Sequence, residues 1–100
     1  MGQPAIESFR ICIPLFQAMS DPARQDIILL LAEHDRLSVN EITQYSSLSR
    51  PAISHHLKIL RDNQLVVIEQ VGTQRYYSLS LDVAVQKLKD LISLVESTCM

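Results

Sequence analysis

The sequence predicts a mainly α-helical domain that carries one β-hairpin near its C-terminal end, in the order α-α-α-α-β-β-α. Apolar residues recur at helical spacing in five segments, and several of these segments begin with residues that cap helices well. A segment rich in β-branched residues and a second strand-like segment flank the Val-Gly-Thr turn at residues 71–73, which indicates the hairpin. A chain of 100 residues without a linker or repeat fits one small domain.

Two helices are expected in the N-terminal third of the chain. A helix over residues 5–18 contains Pro14, which either kinks it or begins a new short helix, because a proline inside a helix loses a hydrogen bond. Asp21 followed by Pro22 is a clear start signal for the second helix, with Asp21 as N-cap. The apolar residues of this second helix continue to about His34.

Two further helices follow, joined by a short turn. Ser38 and Glu41 have the capping-box pattern of a helix that ends near Tyr45. Ser49 is a good N-cap for the next helix, which should run to about Asn63. The spacing of these two helices is typical of a helix-turn-helix.

The hairpin is expected over residues 65–70 and 74–79, and a last helix follows it with Asp82 as its cap. One side of this helix carries apolar residues at helical spacing: Val85, Leu88, Leu91, Ile92 and Val95. The first and last helices are too apolar to be solvated spacers in a chain that is 47% hydrophobic. We therefore expect them to pair with a second copy of the chain across a dimer axis.

The helix that follows Ser49 has two unlike faces. Ile53, Leu57 and Leu60 recur at the spacing of a face that packs on a core. The opposite face presents small, polar or cationic residues: Arg50, Pro51, Ser54, His55, Lys58 and Arg61. Since compact hydrogen-bonding groups suit a helix that enters a groove, we interpret it as a DNA-recognition helix. With the preceding helix and the hairpin, it makes a winged helix-turn-helix.

The N-terminal part of this polar face is predicted to read base edges in the major groove. The guanidinium group of Arg50 can pair bidentately with guanine, and Ser54 and His55 can bond to several base edges. The structural alternative is an ordinary exposed helix face. His56 falls beside the apolar stripe, so we interpret it as a half-buried packing residue.

Contacts to the DNA backbone are predicted for a second set of residues. Lys58, Arg61 and Arg75 are candidates for phosphate contacts, and Gly72 and Thr73 form the tip of the wing beside the backbone. For Arg61, a solvated surface charge explains the residue nearly as well.

The charge distribution permits a nucleic-acid partner although the chain carries a net charge of −2. Between residues 49 and 62 there are three cationic residues and one acidic residue, Asp62. No apolar run of about eighteen residues predicts a membrane span, and the N-terminus lacks the pattern of a signal peptide. Two cysteines are too few for a disulfide framework, so we expect a reducing cytoplasm.

Three motifs resemble those of a known family. Residues 16–24, Phe-Gln-Ala-Met-Ser-Asp-Pro-Ala-Arg, resemble the signature Phe-x-Ala-Leu-Ser-Asp-Pro-Thr-Arg. Residues 50–60, Arg-Pro-Ala-Ile-Ser-His-His-Leu-Lys-Ile-Leu, are similar to Gln-Pro-Ala-Val-Ser-His-His-Leu-Lys-Val-Leu. Residues 74–79 resemble the second wing strand of the same family. This is the ArsR/SmtB family of dimeric bacterial winged-helix repressors, and the resemblance covers roughly residues 9–98.

The resemblance implies a cytoplasmic homodimer that binds a pseudo-palindromic operator and releases it on sensing a signal. It assigns residues 1–19 and 81–100 to dimerisation and residues 20–80 to the DNA-binding core, within one domain over residues 1–100. Metal-sensing members carry Leu-Cys-Val-Cys where this chain has residues 37–40, Leu-Ser-Val-Asn. Hydroxyl and amide groups are poor ligands for thiophilic metals.

A second metal site of the family lies between the last helices, and it too is not matched. Asp82 fits its first position, but the other ligand positions hold Ala84, Val95 and Thr98. With no imidazole left, a transition-metal site there is improbable, and we expect no metal and no cofactor.

Cys12 and Cys99 are the remaining sensing groups that the sequence offers. Family geometry packs the first and last helices together, so the two thiols could approach each other and form a redox or persulfide switch. The alternative is one buried small hydrophobic residue and one thiol at a frayed helix end. Neither cysteine has an obvious cationic neighbour that would favour the reactive thiolate, which favours the alternative.

Two other functions are compatible with the pattern. A winged-helix protein-interaction module without DNA binding, such as a scaffold or anti-repressor, would explain the net acidity and the missing metal ligands. A repressor of a different winged-helix family would differ mainly in how its end helices dimerise. No nucleophile–base pair, phosphate loop or carboxylate pair points to an enzyme.

Overall fold

The computed structural model describes the backbone of residues 3–99 and the side chains of residues 3–98. The elements are α1 Gln3–Met19, α2 Pro22–Glu33, β1 Leu37–Ser38, α3 Val39–Tyr45, α4 Arg50–Asp62, β2 Val66–Val71, β3 Gln74–Leu79 and α5 Asp82–Cys99. The predicted order of helices and hairpin strands is confirmed, and one short strand, β1, is added to it. No helix in the described part of the chain is both long and apolar enough to cross a membrane.

The predicted caps of three helices are confirmed. The side chain of Asp21 accepts hydrogen bonds from two backbone N–H groups of α2, at 2.8 and 3.2 Å. Ser38 and Glu41 form both bonds of the capping box at the start of α3. Ser49 accepts from the first turn of α4 at 3.4 Å. Helix starts are therefore determined by local side-chain hydrogen bonds, which is why the sequence locates them well.

Two expectations about helix ends need correction. Pro14 lies inside one continuous helix of 17 residues, so it does not begin a new helix. Its missing N–H removes one bond, while the packing of α1 along α5 holds the helix together. Asp82 is not the cap of α5 but its first residue, since the N–H of Val85 donates to the carbonyl of Leu81 at 2.8 Å.

The sheet has three antiparallel strands in the order β1-β3-β2. The hairpin register pairs Val66 with Leu79 and Val71 with Gln74. On the other side of β3, Leu37 and Ser38 pair with residues 76 and 77. A strand of two residues shows no alternation in sequence, so it could not be predicted. It ties the start of α3 directly to the wing.

The core lies between the helix-turn-helix and the sheet. The predicted stripe of α4, Ile53, Leu57 and Leu60, is fully buried and is therefore confirmed as a core face. It packs in one cluster with apolar side chains from the other elements: Leu15, Ile27, Leu31, Leu37, Ile42, Leu65 and Val66. This packing fixes α4 with its polar face outward.

Helices α1 and α5 pack along each other, and each buries part of its apolar residues within the chain and exposes the rest. In α5, Leu91 is buried and Leu88 and Val95 are half-buried, whereas Val85 and Ile92 are 41% and 55% exposed. In α1, Cys12 and Leu15 are buried, whereas apolar side chains on another face are exposed: Phe9, Ile13 and Phe16. Both helices have apolar residues on more than one face, so periodicity alone could not select the face that packs within the chain.

Candidate nucleic-acid interface

Helices α3 and α4 are joined by residues 46–49, which form the turn of the helix-turn-helix. The N–H of Ser46 donates to the carbonyl of Thr43 at 3.2 Å and ends α3. The hydroxyl of Ser46 then accepts from the N–H of Leu48 at 3.0 Å. Leu48 packs against the core, so the turn holds α4 at a fixed place relative to α3.

All six predicted residues on the polar face of α4 are exposed: Arg50, Pro51, Ser54, His55, Lys58 and Arg61. They lie opposite the buried stripe, so the structure brings them together on one outward face. His56 is half-buried, as expected for a residue at the edge of the core. The rings of His55 and His56 are 5.8 Å apart. The outward face carries compact hydrogen-bonding groups at its N-terminal end, which is a composition that suits the major groove.

The predicted wing is the β2–β3 hairpin. Gly72 adopts φ = 62°, a left-handed conformation that favours glycine at the tight turn. The side-chain amide of Gln70 donates to the carbonyl of Gly72 at 3.3 Å. Thr73 and Arg75 are exposed at and just after the tip. These features fit a wing that lies beside a DNA backbone.

The recognition helix and the wing meet in a cleft of about 410 Å³. Four of the predicted residues line it together: Arg50 and Ser54 from α4, and Thr73 and Arg75 from the wing. Lys58 and Arg61 do not reach this cleft, and Arg61 instead lines a shallow groove beside the start of β2. The predicted set thus divides into a cleft group and an outer group.

Asn40 also lines the cleft, and no motif in the sequence indicates it as a binding residue. In the sequence it stands out only as a position without a metal-ligating cysteine. The strand β1 brings the first turn of α3 next to the wing, and that tertiary contact had no signal in the sequence.

Arg24 is a second residue whose role was not predicted. Its Nε donates to the carbonyl oxygen of Ala18 at 2.8 Å, and its Nη2 to that of Gln17 at 3.1 Å. Its Nη1 lies 3.2 Å from Nδ1 of His56. Arg24 thereby connects the end of α1 to the recognition helix, so it positions α4 without lying on the DNA-facing side.

Two carboxylates near this framework have lowered pKa values. Backbone N–H groups, chiefly that of Arg24, donate to Asp21 and lower its pKa below the ordinary value of 3.8. The backbone N–H of Ser38 donates to Glu41 and lowers its pKa below 4.5. Both carboxylates are therefore held in the charged form by helix starts.

The chain matches a described protein family and several known repressors. Residues 21–67 match the family described as "Bacterial regulatory protein, arsR family". The Transcriptional repressor SdpR of Bacillus subtilis is 32% identical over 81 residues, which cover 81% of this chain and 89% of that protein. The Arsenical resistance operon repressor of Staphylococcus xylosus is 32% identical over 95 residues, which cover 92% and 89% of the two chains.

Solved structures of other proteins share the fold of this chain. Reduced HlyU from Vibrio cholerae superimposes with a TM-score of 0.74 at 28% identity, covering 93% of this chain and 97% of that one. NolR from Sinorhizobium fredii superimposes with a TM-score of 0.69 at 27% identity, covering 94% and 93%. The chain belongs to the ArsR family. It is a winged helix-turn-helix DNA-binding transcriptional regulator and not an enzyme.

The ArsR-family match decides between the alternatives left by the sequence. A repressor from a different winged-helix family is wrong, since the family profile covers α2, α3 and α4 of this chain. The protein-interaction module without DNA binding finds no support among relatives that are named as transcriptional repressors.

In this ArsR-family regulator, the positions that hold thiolates in metal sensors have other uses. Ser38 is buried, and its hydroxyl accepts from the N–H of Glu41 at 3.2 Å. Asn40 is exposed in the cleft between α4 and the wing. Within residues 3–98, no group of three or more potential ligands among His, Cys, Asp and Glu could hold a metal ion.

Cys12 is fully buried between α1 and α5, and its Sγ lies 3.7 Å from the carbonyl oxygen of Lys87. The packing interpretation fits this environment, because burial separates the thiol from reagents in solvent. The side chain of Cys99 lies outside the described residues, so the thiol switch stays a prediction.

Proposed function

We propose that this ArsR-family regulator is a cytoplasmic homodimeric repressor that binds a pseudo-palindromic operator. The observation that carries the proposal is the outward face of α4, where Arg50, Ser54 and His55 are exposed beside a wing with its own cation. Relatives of similar length are named transcriptional repressors, which supports repression as the outcome of binding.

Sequence recognition is assigned to the N-terminal half of α4. Pro51 lies in the first turn of the helix, directly after Arg50, and leaves this end compact, so that neighbouring side chains can approach base edges. The guanidinium group of Arg50 would pair with guanine, while Ser54 and His55 would accept from or donate to adjacent bases. The buried stripe on the opposite side of α4 supports this, because it fixes which face meets the groove.

Affinity without sequence preference is assigned to the backbone contacts. Lys58, Arg61 and Arg75 are exposed, and each would neutralise a phosphate and release a counterion. Gly72 and Thr73 form the wing tip, where the backbone can approach the DNA closely. The net charge of −2 makes this local arrangement of cations necessary for attraction to DNA.

Dimerisation is assigned to α1 and α5. Phe9, Ile13 and Phe16 expose 40–46% of their area on α1, and Ile92 exposes 55% on α5. Apolar side chains on two helices that already pack together form a surface that a second copy would cover. A two-fold axis there would place two recognition helices on successive half-sites of one operator.

The experiment is an operator titration by fluorescence anisotropy, with DNA from upstream of the regulator's own gene. Wild type should bind it in preference to scrambled DNA, with an affinity that falls steeply as salt rises. Arg50→Ala should weaken binding by about 1–3 kcal/mol and relax the preference at one base pair per half-site.

Ala32→Glu is the matched control, because it lowers the net charge by one, as Arg50→Ala does, at an exposed position of α2 outside α4, the wing and the two proposed dimerisation helices. It should retain wild-type affinity and preference. Equal loss of affinity for every sequence in Arg50→Ala would show that this side chain does not read a base. Binding of wild type that is independent of salt and sequence would refute the proposed function.

A further inference from the structure

The cleft between the recognition helix and the wing has the charge expected of an anion site. Arg50 and Arg75 are its only charged lining residues, and its volume is about 410 Å³. Within the described part of the chain, the salt bridges are made by Arg24 and Arg36. The two cleft guanidinium groups thus face the cavity without a carboxylate partner there.

The acidic residue nearest to the cleft in sequence is engaged elsewhere. Glu41 follows Asn40 in the first turn of α3, but its carboxylate accepts from the backbone N–H of Ser38 at 2.9 Å. The capping box therefore turns this negative charge back onto the helix start. The cleft keeps its positive potential because α3 uses its own acid as a cap.

Neutral donors complete the lining. Asn40 contributes a side-chain amide from α3, Ser54 a hydroxyl from α4, and Thr73 a hydroxyl from the wing. Asn40, Ser54 and Thr73 are all exposed, and no hydrogen bond within the described residues occupies these three side-chain groups. Three separate elements thus aim donors at one space, which is the composition of a site for a multidentate acceptor such as phosphate.

We propose that this cleft seats one phosphate group, bound by Arg75 with Asn40 as an additional donor, while Arg50 lines the cleft and keeps its role toward a base. The inference rests on the proposed function and adds Asn40 to its binding residues. The phosphate comes either from the operator backbone or from a free phosphate compound that competes with the operator. In both cases α3 takes part in binding through its first turn, at a position where metal-sensing relatives hold a ligand.

The experiment compares wild type with Asn40→Asp and Arg75→Gln. Asn40→Asp places a negative charge in the cleft at nearly unchanged volume, and an acidic residue suits the first turn of a helix, so α3 should stay folded. Circular dichroism checks the fold of each variant. Ala32→Glu is the matched control, because it also lowers the net charge by one, at an exposed position of α2 outside the cleft and the two proposed dimerisation helices.

Two measurements separate the sources of phosphate. Operator duplexes with a single methylphosphonate at each backbone position in turn identify the phosphate that the cleft would hold. Inorganic phosphate is added at constant ionic strength, with chloride as the comparison ion. Binding of the free ion is followed by NMR chemical-shift changes of the cleft amides and by release of bound operator.

For an operator phosphate, Asn40→Asp and Arg75→Gln should each bind about tenfold more weakly, and Arg75→Gln should lower the salt slope by about one. One methylphosphonate that weakens wild type should then have little further effect on Asn40→Asp. For a free phosphate, the ion should shift cleft amides and release operator from wild type but not from Asn40→Asp. Ala32→Glu should behave as wild type in both cases.

The inference is overturned if wild type binds its operator, every methylphosphonate acts equally on wild type and Asn40→Asp, and phosphate shifts no cleft amide. If wild type binds no operator, the proposed function has failed. The phosphate titration of the free protein then decides the inference by itself. Chemical-shift changes of cleft amides in wild type that are absent in Asn40→Asp support it, and the absence of such changes in wild type contradicts it.

Discussion

At the scale of single residues, one guanidinium group links helix α1 to helix α4. Arg24 bonds to two carbonyl groups at the end of α1 and contacts His56 on the inner side of α4. Its side chain is only 13% exposed, so these bonds are little weakened by water. Any shift of α1 relative to the DNA-binding core must therefore act on this group.

Replacing Arg24 by alanine should lower the free energy of unfolding by about 1–3 kcal/mol, because two backbone carbonyls lose a charged donor. Urea denaturation followed by circular dichroism measures the change. Arg10 is an exposed cation on α1, so Arg10→Ala should change the free energy of unfolding by less than about 0.5 kcal/mol. A midpoint for Arg24→Ala equal to that of wild type would contradict the role given to this residue.

Asp21 predicts how stability responds to acid. Its pKa is lower in the folded protein than in the unfolded chain, chiefly because the backbone N–H of Arg24 donates to it. A lowered folded-state pKa means that this contribution is complete above the ordinary value of 3.8 and is lost as pH falls through the lower folded value. The pKa of Glu41 is likewise lowered below its ordinary value of 4.5, so its contribution to stability is also lost in acid.

Wild type should therefore lose stability as pH falls below the ordinary values of 4.5 for Glu41 and 3.8 for Asp21, and Asp21→Asn should lose less over the same interval. Asparagine also caps helices well, so the variant removes the titrating group and keeps the cap. Urea midpoints measured at several pH values give the comparison. Asp35→Asn, at an exposed position between α2 and β1, should follow wild type. Parallel curves for wild type and Asp21→Asn would refute this assignment.

At the scale of elements, the two helices of the DNA-binding motif begin with serine caps of different quality. Ser38 is buried, and its capping box has both hydrogen bonds, at 2.9 and 3.2 Å. Ser49 is exposed, and its single side-chain bond is 3.4 Å long. The start of α3 is thus more strongly determined than that of α4, which also has a proline at N1/N2 and a buried apolar stripe to hold it.

Ser38→Ala should cost about 0.5–2 kcal/mol of unfolding free energy, and Ser49→Ala should cost less, at the low end of that range. The physical reason is that a buried cap leaves unpaired N–H groups, whereas an exposed one leaves groups that water can satisfy. Thermal and urea unfolding of the two variants provide the test. Equal losses, or a larger loss for Ser49→Ala, would show that burial does not decide how much each cap contributes to the free energy of unfolding.

At the scale of the whole molecule, α1 and α5 form a layer beside the DNA-binding core and expose apolar area on their outer side. Ile13 is 46% exposed and Ile92 is 55% exposed, although each lies on a helix that also buries an apolar face. A single chain of this size cannot cover both faces of both helices. The proposed assembly of two chains would cover this exposed apolar area and would also supply the second recognition helix.

Sedimentation velocity should show a dimer for wild type, and Ile13→Lys should shift it to monomer. Operator affinity should fall by at least about tenfold in this variant, because one recognition helix alone contacts one half-site. Leu29→Lys is the matched control, since Leu29 is 62% exposed but lies on α2, and it should stay dimeric. Dimers that survive Ile13→Lys unchanged would remove the first helix from the interface.

The sequence by itself determined the helix starts, the polar face of α4 and the hairpin. These features depend on short-range chemistry. Caps such as Asp21 and Ser38 bond within three residues, and the helical spacing of Ile53, Leu57 and Leu60 indicates which face of α4 is buried. Residues 16–24 and 50–60 carry the resemblance to the ArsR family in the sequence alone. Most of the candidate DNA-binding residues are also visible in the sequence, because they lie on one helix.

Only the tertiary structure decided which features from distant segments meet. The contact of Arg24 with His56 joins positions 32 residues apart, and strand β1 brings Asn40 to the wing. The choice between the two apolar faces of α1 and α5 also belongs to the packed molecule, since both faces look alike in sequence. The physical reason is common to all three: periodicity and caps fix each helix alone, whereas contacts between helices depend on how their faces pack against one another.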